Sequence, residues 1–512
     1  MDDVTKLGKV DFRGDVLDFG ILDYDRKTHI YIIGKSGTGK TTFLENVCMS
    51  DILKGHGVCF IDPHGEICED LLKNIPEERV KDVIYFNPFD IEYPISFNIM
   101  ESVDFDKRYN VTGNLVAVFK KIWPDVWSGR MLEILTNTIL ALLEIPDSTL
   151  FHIPKFWSDS KYRDYIVSRL KDSTIKNWWT EQFAKWPDSY RTEAIAGVNN
   201  KIGQFVSNPL IRNIIGQPKS TLDLRKVMDE KKILIINLSI GLLGEENSSL
   251  LGALIITQIQ MAAMSRANIE FENRHPFYFY IDEFQNFSTE SFAKTLSESR
   301  KYNLRLILAH QYIEQLSEGV RAAIFGNVAN LISFRVGPKD AIFLSNEFYP
   351  ISVNDFVNLP NFKFYIKMLI NGEPKKPFLA TALIPYPKSE INYVDDIVAN
   401  TRKVYSVHKT VVDEDLKTFN NMIFSTVKER PTFQTEFWQA KCVECGKTVM
   451  VPFKPDDKRP VYCEKCFVKN KGRKLPEINN EIVKPQISKK PVFKKETEED
   501  SGVTNIIKKI LK

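Results

Sequence analysis

The stretch His29-Ile30-Tyr31-Ile32-Ile33-Gly34-Lys35-Ser36-Gly37-Thr38-Gly39-Lys40-Thr41-Thr42 decides the fold. An apolar run ends at Ile33, and a complete G-x-x-x-x-G-K-T follows without a break. The run reads as a buried strand. The glycines read as a loop with inward-facing backbone N–H groups, and the segment from Lys40 as a helix offering its positive end. Together Gly34, Lys35, Ser36, Gly37, Thr38, Gly39, Lys40, Thr41 and Thr42 form a cradle for a triphosphate. Lys40 is expected to reach the β- and γ-phosphates, Thr41 to offer its hydroxyl to Mg2+, and Thr42 to support the α-phosphate side.

The same rhythm of short apolar run, loop and helical pattern recurs at Val58 to Ile61 and Val83 to Phe86. It resumes at Ile233 to Leu238, Phe277 to Ile281, Leu304 to Leu308 and Leu331 to Phe334, with helical segments such as Leu250 to Met264 and Ser291 to Tyr302 between. Alternation of this kind predicts an α/β fold on a parallel sheet, built here from two blocks of sequence. Between Asp104 and Lys226 the strand-like runs stop. Met131, Leu132, Ile134, Leu135, Ile139 and Leu142 follow a 3.6-residue period, which predicts an inserted helical domain. Six of the seven tryptophans lie there: Trp123, Trp127, Trp157, Trp178, Trp179 and Trp186. They read as the core of a small bundle, with a contact surface for DNA or a partner as the alternative.

A P-loop enzyme also needs a carboxylate on the metal side, at a strand end. Phe277-Tyr278-Phe279-Tyr280-Ile281-Asp282-Glu283 supplies two. Asp282 is expected to hold the Mg2+ shell and Glu283 to orient and polarise the attacking water. Asp62, at the end of the second strand-like run, lies near the expected nucleotide and is read as a turn residue. Asn200-Lys201-Ile202-Gly203 lacks the aspartate of the guanine-reading N-K-x-D, so ATP is the expected nucleotide. None of the seven histidines stands in H-E-x-x-H spacing, which removes the metalloprotease reading.

The 512 residues, 43% hydrophobic and 26% charged, are ordinary for a globular chain of several units. A formal charge of +3 conceals an uneven distribution, because the segment from Phe467 onward is basic and the preceding body slightly acidic. That tail is too polar to fold alone, although Val503, Ile506, Ile507, Ile510 and Leu511 fall at helical spacing near its end. No secretory signal or membrane-spanning run is read from the sequence, so a cytoplasmic location is expected. Cys442-x-x-Cys445 and Cys463-x-x-Cys466, seventeen residues apart, have the spacing of a four-thiolate zinc site. A closed shell of four sulfurs leaves no open coordination position, so this Zn2+ is expected to be structural.

With these motifs in place, the sequence resembles the HerA/FtsK superfamily of P-loop pumps, and within it the conjugative coupling ATPases of type IV secretion systems. The resemblance is carried by the P-loop, GVCFIDPHGEICEDLL from Gly57, YIDEFQNF from Tyr280, SESRKYNLRLILAHQYIEQL from Ser297 and NVANLISFRVGPKDA from Asn327. It spans roughly Lys27 to Ala380. It implies a RecA-like core and a homo-hexameric ring that threads DNA, its strandedness left open, with each ATP site at a subunit boundary. It also implies that Arg300 enters the neighbouring subunit's site and that Gln311 senses the γ-phosphate. Arg321 and Arg335 are rival candidates for the arginine, and His310 departs from the small residue usual before Gln311. The cysteine segment resembles the zinc ribbons appended to bacterial proteins. Coupling proteins usually begin with membrane helices. Their absence from the reading implies a soluble relative, or one that docks at the inner membrane face on an anchored secretion partner.

The expected organisation is therefore a RecA-like P-loop core in two parts, 1–103 and 227–399, around an all-α insertion at 104–226. A linker at 400–435, a zinc ribbon at 436–470 and a basic tail with a terminal amphipathic helix at 471–512 complete it. The expected activity is an ATP hydrolase driving DNA translocation. The alternatives are a secretion ATPase that moves protein or pilin, and a zinc-ribbon adaptor switched by nucleotide.

Overall fold

The computed structural model describes residues 3–101, 103–416, 438–451, 455, 460–463 and 465–466. They fall into two compact units, divided at Phe424/Ser425. The expected basic tail and its terminal helix lie outside the described residues, as does most of the expected linker.

The first unit is built on an eleven-stranded sheet. Its strands are β1 (Val4–Phe12), β2 (Asp15–Leu22), β3 (Ile30–Ile33), β4 (Gly57–Asp62), β5 (Val83–Phe86), β6 (Ile233–Asn237), β7 (Phe277–Ile281), β8 (Leu304–His310), β9 (Asn330–Ser333), β10 (Lys363–Lys367) and, beyond a small hairpin of β11 (Leu369–Ile370) and β12 (Glu373–Pro374), β13 (Phe378–Ala382). The order across the sheet is β2-β1-β13-β10-β9-β3-β8-β7-β4-β6-β5. From β9 to β5 every neighbouring pair is parallel. These strands correspond to the seven apolar runs read from the sequence, so the α/β expectation holds. Parallel strands covered on both faces must be apolar almost throughout, which is why they stood out.

Side chains alternate between two cores. Tyr31, Ile33, Cys59 and Ile61 face the helices that follow β5. Ile30, Ile32, Val58 and Phe60 face the opposite core, to which α1 (Lys40–Leu53) and α2 (Glu66–Lys73) contribute Phe43, Leu44, Ile67 and Leu71. Among the described residues no strand occurs between β5 and β6. That stretch is helical from Arg108 to Asp229, and its apolar residues merge with the first core. Trp123, Trp157, Trp178 and Trp179 are buried there, and Trp127 and Trp186 pack against them. The tryptophans are core residues.

The other four strands are antiparallel and were not read from the sequence. β1 and β2 form a hairpin whose turn places Arg13 and Gly14 at positive φ. β2 is mostly exposed, so no apolar run marks it. A buried ion pair ties this hairpin end to the sheet. The Arg26 guanidinium donates to Asp51 Oδ1 at 2.6 Å and Oδ2 at 2.7 Å, to Thr5 of β1, and to the Tyr280 hydroxyl of β7. Among the described residues one helix, Glu245–Asn268, is long and apolar enough to cross a membrane, yet most of its apolar window is buried inside the fold. The helix Val394–Tyr405 runs through the boundary expected at residue 400.

Candidate nucleotide site and cysteine centre

β3 ends between the C-terminal ends of β8 and β9, and the P-loop leaves it there. Gly34 is required by a close approach, since a Cβ would stand 2.5 Å from that of Phe334. Gly39 takes φ 110° as the residue that leads into α1. The loop is held from several sides. Thr38 Oγ1 donates to Lys35 O at 2.7 Å, Lys35 N–H to Arg335 O at 2.9 Å, and Phe362 N–H to Thr38 O at 2.9 Å. The cradle is thus preformed, with Lys40 buried at the first turn of α1 and Thr41 exposed behind it.

The acid pair stands opposite. Asp282 N–H donates to Ile61 O at 3.1 Å, which docks the end of β7 against β4. Burial is the main cause that lifts the Asp282 carboxyl to about 6; Lys40 opposes the rise, and Glu283 and Asp62 add to it. Glu283 is left-handed, with φ 43° and ψ 49°, which swings its side chain toward the loop. Its Oε1 lies 3.8 Å from Lys40 Nζ and accepts from Gln311 Nε2 at 2.7 Å; its Oε2 accepts from Gln285 Nε2 at 2.6 Å. Asp62 accepts N–H bonds from His64 at 2.8 Å, Ile67 at 2.9 Å and Cys68 at 3.2 Å, so it does fix the turn into α2. It also lines the same cleft.

That cleft, of about 430 Å3, is lined by Lys35, Ser36, Gly37, Gly39, Lys40, Thr41, Thr42, Asp62, His64, Glu66, Ile67, Asp282, Glu283, Gln311 and Phe362. A glycine loop at the start of α1, a buried ammonium and a carboxylate across from a hydroxyl fit a Mg2+-bound triphosphate. Arg300 is not brought to it. It lies exposed in a short turn, Ser299–Tyr302, before β8, whereas Gln311 follows the other end of that strand. Seven strand residues separate them by roughly 20 Å. Arg335 is half-buried beside the loop, and Arg321 lies over the Phe343 ring at 5.9 Å. His310 is fully buried; burial pulls its imidazole down to about 3, so it is neutral, and Nε2 bonds the Tyr31 hydroxyl.

Three participants were not read from the sequence. Gln285 grips Glu283, Phe334 abuts Gly34, and Phe362 covers Gly39. Phe334 and Phe362 come from chain some 300 residues beyond the loop, so no local pattern announces them. Gln285 was accessible as a polar side chain two positions after the acid.

In the second unit β14 (Trp438–Lys441) and β15 (Thr448–Val451) pair antiparallel around Cys442-x-x-Cys445. Gly446, at φ 70°, closes the knuckle with its N–H on Cys442 O at 2.9 Å. Cys463 follows Val461, whose carbonyl accepts from Val443 N–H at 2.9 Å, and residues 465–466 are helical. All four Sγ atoms lie within 4.8 Å of one another. Sulfurs about 2.3 Å from a tetrahedral Zn2+ are about 3.8 Å apart, so the cluster fits that ion. Burial works against ionisation of Cys442, but the backbone N–H groups of Cys463, Cys445 and Glu444 outweigh it and hold the thiol down to about 6.

Fold and cleft together define a P-loop NTPase with a strand-end acid pair and a helical insertion. Residues 4–336 match the family described as type IV secretory system conjugative DNA transfer, and the chain belongs to that family. Residues 435–471 match a probable treble clef zinc finger, in agreement with a knuckle hairpin followed by helical residues 465–466. Similar solved structures include the unbound bacterial conjugative coupling protein TrwBdeltaN70, with 15% identity over 74% of this chain and 90% of that one at a TM-score of 0.53. The plasmid coupling protein TrwB in complex with ADP and Mg2+ has 14% identity over 73% and 90%, also at 0.53. VirB4 of Thermoanaerobacter pseudethanolicus has 11% over 74% and 96%, at 0.52. At such identities these three establish a shared fold. A comparison with curated proteins gives no match.

Proposed function

We propose that this chain hydrolyses ATP with Mg2+ and couples hydrolysis to the movement of DNA through a ring of six copies. Membership of the conjugative DNA transfer family supports the cargo. The observation that carries the chemistry is Glu283, held by two glutamine amides within reach of the P-loop lysine. In the catalytic state Lys40 would turn to the β- and γ-phosphates, and Thr41 and Asp282 would hold the Mg2+ that neutralises phosphate charge. Glu283 takes a proton from the attacking water, whose oxygen bonds to the γ-phosphorus as the bond to the bridging oxygen breaks and ADP departs. Gln311 contacts the γ-phosphate through the amide that now rests on Glu283.

Arg300 serves the next subunit in this reading. Its exposure before the N-terminal end of β8, opposite its own cleft, supports that assignment, as does the Arg335 guanidinium's bond to Leu359 O at 3.5 Å. In the proposed organisation 1–103 and 227–399 form the motor core, 104–226 the insertion, and 436–470 a zinc-stapled module. Work takes place at the cytoplasmic membrane face, on an anchored secretion partner.

The test is ATP turnover with and without single- and double-stranded DNA, on protein whose mass in solution is measured. Stimulation by DNA at hexameric mass is expected. Turnover that ignores DNA and rises with a secreted protein or pilin would replace DNA as cargo. Turnover no faster than nucleotide exchange would leave only a switched adaptor.

A further inference from the structure

We propose that Phe362 is the platform on which the purine base of the bound nucleotide stacks, an inference that rests on the triphosphate reading of the cleft. Phe362 is the third residue of a turn closed by Lys363 N–H on Pro360 O at 3.3 Å, and its φ is 63°. A bulky side chain is strained there, where glycine is at ease. The conformation is held on both sides, by Phe362 N–H on Thr38 O at 2.9 Å and Ala382 N–H on Phe362 O at 2.8 Å. Strain enforced in this way calls for a reason beyond the turn, and it collects at ligand clamps. The ring provides that reason. It is 53% exposed, lines the cleft, and approaches Gly39 so closely that a Cβ on the glycine would stand 3.0 Å from Cδ1.

Apart from Phe362 and the buried Ile67, the lining side chains are polar, charged or absent. In the triphosphate reading those of the loop, with Asp282 and Glu283, serve the phosphates and the metal. A flat apolar face beside the start of α1, facing open space, is what a nucleobase requires once its phosphates occupy the loop. A phenyl ring presents a face with neither donor nor acceptor, so adenine and guanine stack on it alike. The site therefore holds purine nucleoside triphosphates without reading their exocyclic groups.

The experiment is equilibrium binding of Mg2+ complexes of ATP, GTP and inorganic tripolyphosphate to the full chain, in wild type and in Phe362→Ala, Phe362→Gly and Phe362→Trp. Loss of the ring should weaken ATP and GTP by about tenfold and tripolyphosphate by less than about twofold. Phe362→Gly should also keep or raise the melting temperature, because it relieves the turn, while losing base affinity; a purely structural ring would do the reverse. Phe362→Trp should keep ATP affinity and add a fluorescence change, absent from wild type, when ATP binds and not when tripolyphosphate binds. Equal weakening of all three ligands, unchanged ATP affinity without the ring, or a silent Phe362→Trp indole would overturn the proposal. Lys40→Ala separates it from its foundation. If that change leaves tripolyphosphate bound, the triphosphate reading itself fails.

Discussion

Glu283 and Lys40 form a buried ion pair, with Oε1 3.8 Å from Nζ. The distance is long for such a pair, and Gln311 and Gln285 take the carboxylate's shorter bonds. The ammonium is therefore loosely engaged. A γ-phosphate can draw it away, and the carboxylate then remains, still held by its amides, facing the place where water must attack.

Glu283→Gln should separate binding from chemistry. The amide cannot accept a proton, so ATP turnover should fall by about 10² to 10⁴. Removal of the competing carboxylate should leave ATP affinity equal or tighter. Single-turnover hydrolysis beside nucleotide titration checks both, and retained turnover would dismiss Glu283 as the base.

Asp282→Asn should change stability in a pH-dependent way. The folded carboxyl titrates near 6, above its unfolded value near 3.8. Its contribution is fully present below about 4 and lost as pH rises through 6. Where aspartate is ionised, the neutral amide should therefore stabilise the nucleotide-free protein, by up to about 3 kcal/mol above pH 7, with little effect near pH 4. Denaturant melts at the two pH values decide it. The same change should abolish Mg2+-dependent hydrolysis.

Arg300→Ala and Lys40→Ala should each be inactive alone and partly active when mixed. A mixed ring contains interfaces with an intact Lys40 on one side and an intact Arg300 on the other. Recovery of ATPase activity on mixing is the readout. Activity that stays at zero, with mixed assembly demonstrated, would place the arginine's role within its own chain.

Cys463→Ser should lower bound zinc from one per chain to none, because three ligands hold the ion far less firmly than four. Metal analysis after gel filtration measures this. The nucleotide cleft shares no residue with the cluster and should keep its ATP affinity.

How much of this could be read from sequence depended on how far each contact reaches. The parallel strands were visible because burial on both faces writes a continuous apolar run, as in Ile30–Ile33 and Phe277–Ile281. β2, largely exposed, leaves no such mark, and β10 and β13 show only half-buried alternation. In the cleft, Asp282 and Glu283 sit at a strand end and Lys40 at the helix start after a strand and glycine loop, all of which local pattern locates. Phe334 and Phe362 become neighbours of the loop only through the sheet order. Arg300 comes from resemblance alone, and its own cleft lies beyond the far end of β8.

β8 has one further consequence. It lies between Arg300, four positions before its first residue, and Gln311, just after its last, and all seven of its own residues are buried. A stiff, enclosed segment of this kind transmits displacement rather than absorbing it. In a ring where Arg300 enters the adjoining site, a shift of Gln311 on phosphate release would be delivered along the strand to the neighbour's reaction centre. The timing of successive firings would then be set mechanically, by a single strand acting as a push-rod between one cleft and the next.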